Sequence, residues 1–560
     1  MCGIFSLLNT TLTKEQLELV LKSFMIGKLR GPEQSDLIKV FTNTIFGFHR
    51  LAINGLNTKS NQPIYYNGII LICNGEIYNY KSLIDILNLQ FTTDSDCEII
   101  IHLYLKYGAK TMIQMLDGVF AFTLLDLRHD TPLMYVARDI FGVRPLFKYS
   151  SNISSNISSN NSSTQTETIF GFSSEIKMIT HLEKSLQLDF TIQPFLPGTI
   201  SKFNFINDKW SLCYNNTYYS LNMMPFINSM DNALSIIQKT LIQAVKKRVQ
   251  NTDRPIACLL SGGLDSSLIA SIVSKLYKSQ NGSKLETYSI GMPGSEDLKY
   301  AKKVAEYINS NHTEIVVSPQ EFLDTIPKVI YMIESFDTTT VRASVGNYLV
   351  SKYISENSDA KVIFNGDGSD EVTGGYMYFH CAPDMFAFDG ECKRLLSDIH
   401  YFDVLRSDRS IASNGLEART PFLDKMFVQS YLSINSKLRF HKLKNQCEKW
   451  LLRYAFEPLN LLPQEVLWRT KEAFSDGVSS QSKSWFEIIQ DYVDNNKLGC
   501  CENTNHMTPI TAEQKYYRGI FQEKFGEKHS NVIPYFWMPR FVEGVTDSSA
   551  RTLNIYKDKI

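Results

Sequence analysis

From about Asp231 the chain alternates strictly between helical and strand patterns, and this rhythm limits its fold more than any other feature. A helix is expected over 233–250, a strand over 256–260 and a helix from Ser266. A strand over 287–291, a helix over 297–308 and a strand over 312–317 follow. Such alternation predicts an α/β domain, a doubly wound parallel sheet with helices on both faces. A ligand of that fold lies at the carboxyl ends of the strands, where the loops after Leu260, Gly291 and Phe364 emerge.

The preceding part has a different rhythm. Short apolar runs at 2–8, 45–50, 69–74, 120–126 and 134–138 read as strands, with helical patterns at 15–25 and 97–107. Strands without regular alternation predict an α+β domain of stacked antiparallel sheets between helices. The expected domains are 2–205 and 231–560, joined by a linker over 206–230. Residues 150–166 form a Ser/Asn tract that cannot bury a core, and a disordered surface loop is expected there. Its N-x-S triplets carry no weight as glycosylation sites without a secretory signal.

A length of 560 residues exceeds what one core supports. Lys and Arg number 57 against 58 Asp and Glu, so no global field attracts nucleic acid or an anionic membrane. The ten cysteines are scattered and include no C-x-x-C pair, which fits a reducing, cytoplasmic setting. Neither a signal segment nor an apolar run of about 20 residues is expected to direct the chain into a membrane.

The loop LLSGGLDSS at 259–267 follows an apolar strand and opens a helix. Its glycines let backbone N–H groups and hydroxyls reach a phosphate at the helix N-terminus. A Walker A lysine is missing, whereas SGGxDS matches the pyrophosphate loop of ATP pyrophosphatases. A carboxylate beside phosphate needs an intervening cation, so Asp265 and Asp370, the latter in NGDGSDE at 365–371, are expected Mg²⁺ ligands.

Removal of Met1 would expose Cys2, whose own α-amino group, with an ordinary pKa of about 7.7–8.0, can serve as its base. Cys-Gly-Ile at the start is followed in order by RGPE at 30–33, HRLAI at 49–53, NGEIYN at 74–79, SDCE at 95–98, DGVFAF at 117–122 and ARDIFGVRPL at 137–146. This series resembles the class II glutamine amidotransferases, a group of N-terminal nucleophile hydrolases. The resemblance implies that Arg50 pairs with the glutamine α-carboxylate and that Glu76 and Asp96 hold its α-ammonium group. It places Leu51, Ala52, Ile53 and Asn54 along the glutamine, and makes Asn74 and the Gly75 N–H the oxyanion hole for attack by Cys2.

The combination with SGGLDSS resembles the asparagine synthetase family nearly end to end. Further matching segments are ESFDTTTVRAS at 334–344, DVLRSDRSIASNGLEARTPFLD at 403–424, RTKEAFSDG at 469–477 and WMPRFVEG at 537–544. The resemblance implies that Leu260, Ile290, Asn365 and Gly366 contact ATP while Ser261, Gly262, Gly263, Asp265, Ser266 and Ser267 wrap its pyrophosphate. Lys471 would neutralise transition-state charge, Asp367 would handle protons, and Thr339, Arg342 and the region of Glu417, Arg419 and Asp424 are the weaker candidates for placing aspartate. The implied reaction makes β-aspartyl-AMP and diphosphate from L-aspartate and ATP. Ammonia from L-glutamine then displaces AMP, after crossing a shielded tunnel.

Two departures stand out. The family usually has SGEGSDE, and here Asp367 is one methylene shorter than that Glu; Leu29 and Glu33 replace the His and Asp of HRGPD. The Asp367 departure keeps open a catalytically weakened homologue with a binding or regulatory role. Another ATP-dependent amide-forming enzyme on the same scaffold is the other alternative, against which Cys2 argues. A homodimer is compatible with the chain but not required by it.

Overall fold

In the computed structural model, residues 1–154, 166–480, 482–499 and 506–553 are described. They divide into two units, Met1–Ser220 with Phe525–Val532, and Leu221–Lys524 with Ile533–Ile560.

The first unit begins with β1 (Gly3–Leu8), α1 (Lys14–Met25), β2 (Gln34–Phe41) and β3 (Thr44–Arg50). Next come β4 (Ile64–Tyr66), β5 (Ile69–Ile77), α2 (Tyr80–Leu87), α3 (Glu98–Met115), β6 (Gly118–Asp126) and β7 (Leu133–Arg138). The remainder is β8 (Phe147–Ser154), β9 (Thr166–Ser173), α4 (Ile176–Leu186), β10 (Thr191–Pro194), β11 (Thr199–Ile206) and β12 (Lys209–Thr217). The strands form two six-stranded sheets, ordered β10-β8-β9-β1-β3-β2 and β12-β11-β7-β6-β5-β4. Neighbouring strands run antiparallel throughout.

Period-2 alternation builds this sandwich. Ile70 and Ile72 of β5 join Ile4, Phe46, Phe48 and Phe172 in the core between the sheets. Leu71 and Cys73, facing the other way, pack with Ile99, Ile100 and Leu103 of α3. A capping box between Thr13 and Gln16 starts α1, whose Phe24 packs against Phe5 of β1 at 6.0 Å between rings.

The second unit contains α5 (Met230–Gln250), β13 (Ile256–Leu259), α6 (Leu264–Asn281), β14 (Glu286–Gly291), α7 (Glu296–Ile308) and β15 (Asn311–Val316). It continues with α8 (Pro319–Ile333), α9 (Thr338–Asn357), β16 (Val362–Phe364), α10 (Ser369–Thr373), α11 (Met385–Asp398), α12 (Asp403–Ala412) and β17 (Glu417–Arg419). Its five strands are parallel in the order β15-β14-β13-β16-β17. The order reverses at β13, so the crevice of a doubly wound sheet opens beyond the carboxyl ends of β13 and β16.

Two expectations need correction. Residues 209–217, placed in a linker, form β12 and pair with β11, because main-chain bonding at a sheet edge does not require an apolar pattern. The Ser/Asn tract is a strand as far as Ser154, where β8 pairs with β9, and resumes as strand at Thr166. Residues 155–165 of that expected loop lie outside the described residues. No helix among the described residues is long and apolar enough to cross a membrane.

Candidate active sites

Cys2 immediately precedes β1. Its thiol lies 3.5 Å from the Leu51 carbonyl oxygen, to which it donates, and Arg30 Nε donates to its carbonyl at 2.9 Å. Asn74 and Gly75 lie near the end of β5, where Gly75 faces Phe120 of β6. A Cβ on Gly75 would come within 2.5 Å of the Val119 carbonyl oxygen and 2.7 Å of Phe120 Cα, so only glycine permits this strand pairing. The Asn74 side chain is 1% exposed, and neither its amide nitrogen nor its oxygen has a hydrogen-bond partner among the described residues. A buried amide left in this state is costly without a ligand to meet it.

Of the expected glutamine residues, Asn54, Glu76 and Asp96 are held at this strand end. Asn54 Nδ2 donates to Glu76 Oε2 at 2.6 Å, and Asp96 Oδ2 accepts from the Ile77 N–H at 2.7 Å. Arg50 donates to the carbonyls of Asn57, at 3.0 Å, and Gly55, and to Asn61 Oδ1 at 2.5 Å. Leu51, Ala52 and Ile53 are buried. Glu33, the longer acid of the altered RGPE segment, reaches the Ala52 N–H at 2.7 Å, while Leu29 is exposed. His49 of β3 packs against α1, stacked on Phe24 at 3.9 Å and bonded to the Phe24 carbonyl at 2.8 Å. Burial lowers its pKa to about 4, which makes it a neutral structural group at pH 7.

In the second unit a cavity opens at the carboxyl ends of β13, β14 and β16. It is lined by Leu260, Ser261, Gly263, Asp265, Ser266, Ile290, Thr339, Asn365, Gly366, Asp367, Asp370 and Lys471. Gly262 takes φ +73, and a Cβ there would strike Ala301 N at 2.5 Å, so glycine sets the turn of the loop. The hydroxyls of Ser261 and Ser266 meet at 3.0 Å, and Ser266 also accepts from the Ser261 N–H at 3.1 Å. A Cβ on Gly366 would meet Asp265 Cβ and Ser266 N, both at 2.7 Å, so this glycine lets the two loops close on each other.

Charge is concentrated where the loops meet. Lys449 Nζ lies 2.5 Å from Asp265 Oδ2 and 2.6 Å from Asp370 Oδ1; Lys471 Nζ lies 2.8 Å from Asp370 Oδ2 and 3.8 Å from Asp265 Oδ2. Ser369 Oγ donates to Asp265 Oδ1 at 2.8 Å. Burial opposes ionisation of Asp370, but the two ammonium groups hold its carboxyl well below the usual range. Burial likewise opposes the charge on Lys471, and Asp370 and Asp265 more than offset it.

Deeper in the cavity wall, Asp367 Oδ1 accepts from Arg406 Nη2 at 2.9 Å, and Arg406 also reaches Asp403 at 2.8 Å. The second oxygen of Asp367 is buried with no hydrogen-bond partner among the described residues. Burial raises the pKa of Asp367, the Arg406 charge opposing the rise. Tyr376 donates to Glu371, whose carboxyl is pushed well up by burial and by the negative charges of Asp403 and Asp370.

A glutamine amidotransferase domain model matches residues 1–199, and an asparagine synthase model matches 237–389 and 386–532. The chain is similar along its whole length to the glutamine-hydrolysing asparagine synthetase of Gallus gallus, 42% identical over 587 residues with all of both chains covered. The chain belongs to the glutamine-hydrolysing asparagine synthetase family. Similarity to the Homo sapiens member is 40% over 585 residues, again covering all of both chains. A carbon–nitrogen ligase using ATP and a glutamine-derived amide is thereby shown, and asparagine synthesis fits both matched domains.

Not every residue carried over from the asparagine synthetase family lines the cavity. Ser267 is fully buried inside α6. Arg342, expected near aspartate, is instead bound by Glu513, at 2.9 and 2.5 Å, and Asp547, at 2.8 and 2.7 Å; two carboxylates already neutralise it. Glu417 and Arg419 pair within β17 at 2.9 Å, and Asp424 takes Lys247 and Arg248, so these three serve internal ion pairs. Lys449, Arg406 and Glu371 were missed. Lys449 stands in the unremarkable run CEKW, and only folding brings it to Asp265.

Proposed function

We propose that the two sites divide the asparagine synthetase reaction between them. In the first unit, Cys2, with Met1 removed, attacks the side-chain amide of glutamine. The Asn74 amide and the Gly75 N–H receive the developing oxyanion; collapse of the tetrahedral adduct expels ammonia and leaves a thioester, which water hydrolyses to glutamate. The observation supporting this division is the buried Asn74 side chain, without a hydrogen-bond partner among the described residues, on β5, which packs against the Cys-first strand β1.

In the second unit the hydroxyls of Ser261 and Ser266 and the N–H groups opening α6 cradle the phosphates. Asp265 and Asp370 fit Mg²⁺, since both offer hard oxygen donors close enough for one cationic group to bridge them, as Lys449 does. Bound there, the ion would neutralise the departing diphosphate. Lys449 and Lys471 orient the two carboxylates, and Lys471 faces the cavity to meet charge that develops on the phosphates. Thr339 remains on the cavity wall as a contact for aspartate. Once the β-carboxylate is adenylated, ammonia displaces AMP from it, and Asp367 Oδ2 takes the proton that the new C–N bond sheds, a role its raised pKa suits.

Scattered cysteines with no C-x-x-C pair favour a cytoplasmic setting. Purified protein given aspartate, ATP, Mg²⁺ and either glutamine or ammonium should yield asparagine, AMP and diphosphate. ADP in place of AMP would overturn the adenylation step.

A further inference from the structure

The catalytic lysine of the second unit stands at the head of a segment with little regular structure. Between Arg469 and Ser480 the regular element is a four-residue helix, Phe474–Gly477. Such a segment gains little order from its own backbone, so its geometry depends on what holds it from outside. On the inner side the Lys471 N–H donates to Glu448 Oε1 at 2.7 Å, and Arg469 donates to Asp297 at 3.0 Å.

On the other side the segment is held by residues near the carboxyl end of the chain. Arg551 Nη2 donates to the Glu472 carboxylate and, at 3.2 Å, to the Asp476 carbonyl; its Nη1 donates to the Ser480 carbonyl at 3.1 Å. One guanidinium thus grips the segment at three points, beginning with the residue next to Lys471. Ser549 Oγ adds a bond to Asp476 Oδ1 at 2.9 Å, and Asp547 ties the same stretch to Arg342 of α9. Arg551 and Glu472 side chains are 13% and 9% exposed, so their pairing is largely out of water.

We propose that Arg551 is a positioning residue for amide synthesis, which locks the 472–480 segment so that Lys471 keeps its place beside Asp370. The proposal rests on the assignment of Lys471 to the phosphate-transfer step. Two of the three bonds come from one nitrogen, Nη2, so a lysine ammonium could keep at most two, whereas the planar fork holds the carboxylate and both carbonyls together. A misplacement of about 1 Å at a reacting centre can cost about 100-fold in rate.

The test compares full-length wild type with Arg551→Ala and Arg551→Lys, using ammonium as nitrogen source. The alanine variant should lose about 10- to 100-fold in kcat for asparagine formation. Its glutamine hydrolysis, measured separately, should match wild type. Arg551→Lys should fall between the two, and low-millimolar guanidinium ion should restore part of the rate to the alanine variant and none to wild type. Synthesis by Arg551→Ala within about twofold of wild type would overturn the proposal. So would equal losses in both variants with no response to guanidinium. Should the alanine variant fail to fold, a lysine variant with the full wild-type kcat would overturn it and a partial kcat would uphold it. Asparagine and AMP formation by wild type tests the underlying assignment independently of either variant.

Discussion

Arg406 donates to one oxygen of Asp367 at 2.9 Å and leaves the other, buried Oδ2 without a hydrogen bond among the described residues. The arginine fixes the shorter acid through one oxygen, although the family usually has a longer side chain there.

Asp367→Glu should therefore keep or improve ammonium-dependent turnover, because the added methylene restores the reach usual in the family. Asp367→Asn removes the proton acceptor and should lower kcat by about 100-fold or more. Steady-state asparagine formation distinguishes them, and a large loss in the Glu variant would mean that the shorter acid is fitted to Arg406.

Cys2→Ala should abolish glutamine-dependent synthesis and retain ammonium-dependent synthesis, since the thiol acts only in releasing ammonia. Intact-mass measurement of the wild-type chain should show that Met1 has been removed. Equal loss with both nitrogen sources would contradict the division between the sites.

Gly75→Ala should impair glutamine hydrolysis and destabilise the chain by about 1–3 kcal/mol, as the new methyl meets the Val119 carbonyl at 2.5 Å. Thermal melts read the second effect. Ammonium-dependent synthesis at a temperature where the variant is folded should persist.

Lys449→Met should leave Asp265 and Asp370 facing each other with Lys471 as their remaining cationic partner among the described residues. The expected result is a loss of about 100-fold in asparagine formation and little change in glutamine hydrolysis. Parallel assays of the two half-reactions check it.

Glu183 offers a test of stability against pH. It accepts from buried His529 at 2.9 Å and from Lys528; burial opposes its ionisation, yet these partners lower its pKa from 4.5 to about 2. A lowered pKa in the folded state stabilises above pH 4.5, and that contribution disappears as pH falls toward 2. Glu183→Gln should melt about 3–6 °C below wild type at pH 7, and the difference should shrink in acid.

Both folds and much of each site were legible from local sequence. Alternation of period 2 put Ile70 and Ile72 on one face and Leu71 and Cys73 on the other, and SGGLDSS marked by its glycines the turn from β13 into α6. The edge strand β12 was not legible, because it is held by main-chain bonds to β11 and carries no apolar repeat.

What the sequence determined alone was what short motifs encode: a cysteine after Met1, an Asn-Gly pair at the end of β5, and a glycine loop with its aspartate. Such motifs act over a few residues, where backbone geometry follows from residue type. Only the tertiary structure decided which distant charges share a cavity. It brought Lys449 to Asp265 and Arg406 to Asp367, and it gave Arg342 to Glu513 and Asp547 instead of the cavity. The physical reason is that a charge is read by the partner it meets at 3 Å, and that partner is set by how helices and strands pack, not by its neighbours in the chain.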